Sequence, residues 1–388
     1  MKNKYAVIFN LVEESDKLLP LTDRRPVATL PIAGRYRLID FPFSSLSNAQ
    51  VRSASLFISG SGRSLYDHVR AGKSWGLDNV TGGGIFTHSQ IRLKSKTESN
   101  LNYYQDHREY LNKSDSKYVV LLGSNILANL SIDSMLAYHL EEANDITVAY
   151  KSVPRNELRE DTIFSRYIFS ENHKKRIDKI QPLSDLALVS TEVMFGLNIL
   201  ITEKESFIRY LDEVEELNQL VSVENILNVA KENPAVQIGG YEYTGYLKAI
   251  EDHASYFAAN MDMLDEEKFN ALFYRESPVL TKSKNSAPSY YGKESKVKNS
   301  LLANDCEIYG NVENSVIFRK SFICEKAKIN HSVILQGSYV DEYADLNYVI
   351  LDKRVHVEKG VKLEGTAENP IVVPKDSRVL SSGEIVEG

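Results

Sequence analysis

Apolar residues along this 388-residue chain follow two different rhythms. Over roughly the first two thirds, short β-branched and aromatic runs alternate with stretches of helical spacing. Residues 5–9, 54–59, 118–122 and 145–153 read as strands. Continuous apolar runs such as YVVLL at 118–122 suit strands covered on both faces of a sheet. Between them, residues 44–52 and 131–143 read as helices, the second opened by the cap Ser131. Strand and helix in alternation predict a doubly wound α/β sheet of Rossmann-like type. Residues 167–169 and 176–181 read as an antiparallel pair around the turn Glu171-Asn172-His173.

Beyond residue 298 the period changes. Aliphatic residues stand at Leu302, Ile308, Ile317, Ile323, Ile329, Leu335, Val340, Leu346, Leu351, Val357 and Leu363, and seven of these ten intervals are six residues long. A smaller residue follows four places after most of them, as at Cys306, Val312, Ser321, Ala327, Val333, Ala344 and Val355. That hexapeptide pattern predicts a left-handed parallel β-helix, each coil laying its aliphatic row on the next. Residues 275–298 are rich in Ser, Lys and Pro and carry no period, so they read as a linker. The expected division is a sheet domain over 1–274, a linker over 275–298 and a β-helix over 299–388.

Composition narrows the function classes. A net charge of −7 and a pI near 5.7 argue against nonspecific nucleic-acid binding, which depends on a basic surface that releases counterions. Only Cys306 and Cys324 are present, without CxxC spacing, so neither a disulfide framework nor a zinc site is expected. The N-terminal lysines precede a short apolar run that lacks a small-residue cleavage site and leads into acids, which reads as a first strand. No apolar stretch approaches the ~18 residues of a membrane span. A cytoplasmic protein is the expectation.

The chemistry-bearing stretch is LLPLTDRRPVATLPIAGRYRLIDF, residues 18–41. Through Leu21, Thr22, Arg25, Pro31, Gly34, Tyr36, Arg37, Leu38, Ile39, Asp40 and Phe41 it resembles the opening of the sugar-nucleotide pyrophosphorylases, and within them the bacterial ADP-glucose pyrophosphorylases. The resemblance extends over nearly the whole chain. It continues through residues 61–69, the Trp75-Gly76-Leu77-Asp78 and Gly82-Gly83-Gly84 loop, Tyr104-Gln105, and the helix bearing Tyr256, Ala259, Asn260 and Met261.

Where the resemblance implies catalysis, this sequence departs from it. The family's glycine-rich phosphate loop is replaced by Leu11-Val12-Glu13-Glu14-Ser15-Asp16, with Lys17 at the position of the loop Arg. Glycines there would let backbone N–H groups approach a triphosphate; three carboxylates would repel it. The family's phosphate-gripping Lys is Val27. Its two metal-binding Asp positions are Ser124 and Ala249, and neither a hydroxyl nor a methyl group replaces a carboxylate for a hard divalent cation. Glu98-Ser99-Asn100-Leu101 stands where the base and sugar are approached, Gln181 where a Lys meets the sugar phosphate, Glu192 at a glycine of the hexose pocket, and Lys248 at an Arg.

The resemblance therefore implies a regulatory, catalytically impaired subunit of the GlgD type, which pairs with a catalytic ADP-glucose pyrophosphorylase subunit in an expected heterotetramer. No cofactor is expected on this chain, magnesium belonging to the catalytic partner. Arg24, Arg25, Arg35, Arg37 and Lys248 are the candidates for binding substrate or a sugar-phosphate effector, Arg24 matching a basic position that the family associates with such effectors. The competing readings are an active pyrophosphorylase with a divergent site and a sugar-phosphate-binding module. A hexapeptide acyltransferase is disfavoured, because His331 and His356, the only histidines of that region, read as surface residues rather than as a base between packed coils.

Overall fold

The structure, a computed structural model, describes residues 4–12, 15–78, 83–90, 103–158, 165–169, 175–182, 191–275, 277–283 and 285–387. The turn expected at 171–173 lies outside the described residues. The chain divides into two compact units, both discontinuous. One comprises Met1–Glu13, Pro42–Leu247 and Glu276–Leu280; the other comprises Glu14–Phe41, Lys248–Arg275 and Thr281–Gly388.

The first unit is built on a nine-stranded mixed sheet. Its strands are β1 (Tyr5–Leu11), β2 (Ser53–Ile58), β3 (Gly84–Ser89), β4 (Tyr118–Leu122), β5 (Ile146–Pro154), β6 (Ser165–Phe169), β7 (Ile177–Pro182), β8 (Glu192–Glu203) and β9 (Ile238–Glu242). The path runs β7-β6-β8-β4-β1-β2-β3, with β5 joined to both β8 and β9. Strands β4, β1, β2 and β3 are parallel, and β8 returns antiparallel against β4 and β5. The apolar runs that predicted strands are the central ones: every residue of β1, β2 and β4 is buried.

Helices close over this sheet. Helix α1 (Ile132–Glu141) starts at Ser131, whose hydroxyl accepts a hydrogen bond from the backbone N–H of Ser134 at 3.2 Å. Helices α2 (Lys204–Glu216) and α3 (Val223–Ala230) bury Phe207, Leu211, Val214, Ile226 and Leu227 in one core with Ile8, Leu121, Val148 and Leu200.

The second unit contains the left-handed β-helix: three parallel sheets whose strands each pair with the strand one coil later. Glu307 pairs with Phe322, Phe322 with Tyr339 and Tyr339 with His356, and an insertion lengthens the step from His356 to Arg378. Of the expected inward aliphatic row, all but Leu302 are buried, as are all seven of the smaller residues. Corners recur in register: Lys326, Tyr343 and Gly360 occupy one corner at φ of +61°, +63° and +73°.

Two expectations about boundaries are corrected. The coil begins inside the stretch expected as a linker, since Tyr290–Tyr291 and Lys296–Lys298 pair in parallel with Glu307–Ile308 and Asn311–Glu313. This first coil carries no buried aliphatic row; Tyr290, Tyr291 and Val297 are exposed, which hid it from the periodicity. Residues 14–41 and 248–275, expected to belong with the sheet, instead form one unit with the coil. Tyr256 donates to the carbonyl of Pro31 at 2.7 Å, and Asn260 accepts from the N–H of Ala33 at 3.2 Å. Arg25 is buried against Asp352. Among the described residues no helix is long and apolar enough to cross a membrane.

Candidate functional site

In the first unit, β4 delivers its carboxyl end to Gly123-Ser124-Asn125, the location at which α/β sheets present ligands. Ser124 is 4% exposed and Asn125 3%. The neighbouring cavity, about 20 Å³, is lined by apolar side chains such as Leu122, Ile126, Leu130 and Leu197. The hydroxyl of Ser124 is therefore buried beside a small cavity that it does not itself line. At the end of β1, Leu11 and Val12 are buried, so apolar side chains occupy what would be phosphate-loop glycines. Glu13, Glu14, Gly82 and the stretch 98–101 lie outside the described residues. Glu192 is exposed at the start of β8 and accepts a hydrogen bond from Ser152 at 2.6 Å. Gln181 is half-buried on β7.

The remaining positions belong to the second unit. Asp16 and Lys17 are exposed in the single turn Asp16–Leu18. Val27 is only 4% exposed, so the position of the family's phosphate Lys has become part of an apolar core. Ala249 is half-buried. Its neighbour Lys248 is engaged by Asp262, Nζ lying 3.5 Å from the carboxylate. A serine hydroxyl and an alanine methyl do not fit the all-oxygen, carboxylate-rich sphere of Mg²⁺.

The GRYRLIDF motif is architectural. Gly34 sits at φ +71°, and a Cβ there would come within 2.5 Å of the Leu301 side chain, so the backbone approach to the coil requires glycine. Tyr36 and Phe41 pack on the Phe273 ring, with centroids 4.7 and 5.6 Å away. Buried Asp40 accepts from the N–H of Arg37 at 3.0 Å and from the hydroxyl of Thr281 at 2.6 Å.

The four candidate arginines do not converge. Arg24 and Arg25 line one cleft of about 270 Å³, together with Asp23, Asp352, Lys375 and Glu387. Arg35 is exposed, its guanidinium 5.9 Å from the Tyr36 ring centre, and neither it nor half-buried Arg37 lines that cleft. Arg25 is largely committed: Nη2 binds Asp352, Nε donates to the carbonyl of Leu21 at 2.6 Å, and Nη1 has no hydrogen-bond partner among the described residues. Sequence reasoning missed Asp352, Lys375 and Glu387, which lie more than 300 residues from Arg25 along the chain. The only sequence signal for Asp352 is a carboxylate directly after the inward-facing Leu351.

Comparison with known proteins agrees with this architecture. The nucleotidyl transferase family model matches residues 14–160, and the GlmU-like, C-terminal hexapeptide model matches 286–369. These define the class: a nucleotidyltransferase fold followed by a hexapeptide β-helix. The glycogen biosynthesis protein GlgD of Bacillus subtilis is 33% identical over 370 residues, covering 95% of this chain and 94% of that protein. GlgD of Geobacillus stearothermophilus is 31% identical over 388 residues, covering 100% and 99%. Glucose-1-phosphate adenylyltransferase of Fusobacterium nucleatum is 27% identical over 345 residues, covering 85% of each chain. The chain belongs to the glucose-1-phosphate adenylyltransferase family, in its GlgD branch.

Proposed function

We propose that this protein acts in glycogen biosynthesis as a regulatory, catalytically impaired subunit. Its catalytic paralogue would convert ATP and glucose 1-phosphate to ADP-glucose and pyrophosphate in the cytoplasm. The observation that carries the reading is the pair Ser124 and Ala249 at the two metal positions, the first buried and neither a carboxylate. Nucleotidyl transfer is chiefly positioning and neutralisation of charge by metal and cations. Losing the metal removes several kcal/mol of transition-state stabilisation, and each ~1.4 kcal/mol is about tenfold in rate. Buried Val27 supports the same reading, because it offers no cation to a triphosphate.

Association with the partner accounts for what the chain keeps. The core of the sheet, the GRYRLIDF packing and the regular coil are all retained while the chemistry is lost. Co-expression with a paralogue that keeps the glycine loop and both carboxylates should yield a mixed oligomer, a tetramer by light scattering. Separate species across micromolar concentrations would contradict the subunit role. A sugar-phosphate effector is compatible with it, and the unpartnered Nη1 of Arg25 in a cleft shared with Arg24 and Lys375 supports that addition.

A further inference from the structure

The cleft around Arg24 and Arg25 brings its own counter-charges. Three cations line it, Arg24, Arg25 and Lys375, and so do three carboxylates, Asp23, Asp352 and Glu387. Two of those carboxylates are committed: Asp352 holds Arg25, and Asp23 lies 3.5 Å from Nε of Arg24. Asp376 adds a fourth from outside the lining. It lies 3.9 Å from Nη1 of Arg24 and 3.6 Å from Nζ of Lys375, and Arg354 grips it through two hydrogen bonds of 2.6 and 2.8 Å. Arg354 and Lys375 hold its carboxyl below the usual range, so it stays ionised.

That leaves one unused donor and one unpaired carboxylate among the described residues. Nη1 of Arg25 has no hydrogen-bond partner, and Glu387 makes no ion pair. Glu387 follows the strand Ile385–Val386, which pairs antiparallel with Arg378–Val379 and so folds the chain back to the cleft. Its side chain is exposed. A carboxylate offers a guanidinium the same planar pair of acceptors that a phosphate offers. We propose that Glu387 is a built-in competitor of anion binding in this cleft, setting the affinity of the effector site by opposing the ligand's charge. The inference rests on the effector reading given above and specifies how that site is regulated.

Neutralising Glu387 should therefore tighten anion binding. Calorimetric titration of the full chain with inorganic phosphate and with glucose 6-phosphate, at fixed ionic strength, compares the parent with Glu387→Gln, Glu368→Gln and Arg24→Ala. The expected result for Glu387→Gln is affinity about two- to fivefold higher, the size of a solvent-exposed ion pair, with Glu368→Gln unchanged and Arg24→Ala weaker. Equal affinity in the parent and Glu387→Gln overturns the competitor while leaving the effector site standing. An equal gain in Glu368→Gln also overturns it, since the effect is then one of net charge. If neither ligand binds any variant, the effector site itself is refuted and the competitor with it.

Discussion

Replacing Asp352 by Ala should destabilise the second unit severely. Asp352 is fully buried, and its carboxylate neutralises Arg25, whose side chain is 4% exposed. Its other oxygen accepts the N–H of Lys353 at 2.7 Å. Truncation leaves a buried guanidinium with only the carbonyl of Leu21 as hydrogen-bond partner. Breaking a buried pair on one side costs about 3–5 kcal/mol, because the surviving charge is uncompensated. In a unit of this size 1 kcal/mol moves Tm by roughly 2–4 °C, so the expected fall is about 6–20 °C. Scanning calorimetry of the parent, Asp352→Ala and the double variant Arg25→Met with Asp352→Leu reads this directly. The double variant should recover most of the loss, since an apolar pair of similar volume often matches a buried ion pair. A fall of less than about 2 °C for Asp352→Ala, or a double variant worse than the single, would refute the account of this contact.

Two further outcomes follow from the first unit and from the eroded positions. His107 is fully buried, stacks on Phe57 with centroids 3.4 Å apart, and has no partner for either ring nitrogen among the described residues. Burial holds its pKa well below the ordinary 6.5, so the unfolded chain binds the proton more readily. Stability should be complete above pH ~6.5 and decline below it by up to about 1.4 kcal/mol per pH unit. His107→Phe should flatten most of that slope in denaturant titrations between pH 5 and 7, the remainder coming from buried His139, whose pKa is also lowered; an unchanged slope assigns it elsewhere. Separately, Ser124→Asp with Ala249→Asp should leave MgATP affinity undetectable by calorimetry, because the loop over 11–17 still has Glu13, Glu14 and Asp16 in place of glycines and Val27 still offers the triphosphate no cation; MgATP binding by this double variant would show that the loop is not the obstacle.

The parts of the fold legible in the sequence are those in which one local rule dominates. The five-residue run of β4 and the period-six row of the coil each satisfy a single burial geometry, and the structure buries both. Strand β9 stayed hidden because its centre is Gly239-Gly240, which carries no hydrophobic signal. The glycines are there for space: a Cβ on Gly239 would meet the Asn144 side chain at 2.0 Å, and one on Gly240 the Phe169 ring at 2.6 Å. The first coil stayed hidden for a related reason, its exposed Tyr290, Tyr291 and Val297 leaving no inward row to count.

At the site, substitutions were readable as residue types but not as environments. Val27 could be seen to replace a lysine; that it is buried could not. Arg25 read as a ligand for phosphate, whereas most of its hydrogen bonds hold the chain together, because its partner Asp352 is distant in sequence and lies outside the local patterns. Arg35 and Arg37 read as binding candidates alongside Arg24 and Arg25, yet they lie on the hairpin of Pro31–Ile32 with Tyr36–Arg37, and of the four only Arg24 and Arg25 line the cleft.

The central claim, loss of catalysis in this chain with retention of a role beside a catalytic paralogue, is tested most directly by one assay. Pyrophosphate release from MgATP and glucose 1-phosphate is measured for the purified chain, for a paralogue from the same genome that keeps the glycine loop, and for the two together. The account predicts no release by this chain above background, and a mixture whose rate or response to sugar phosphates differs from that of the paralogue alone. Turnover near ~1 s⁻¹ by this chain alone, at the low end of ordinary enzymes, would contradict it, as would a mixture that behaves as the paralogue does by itself.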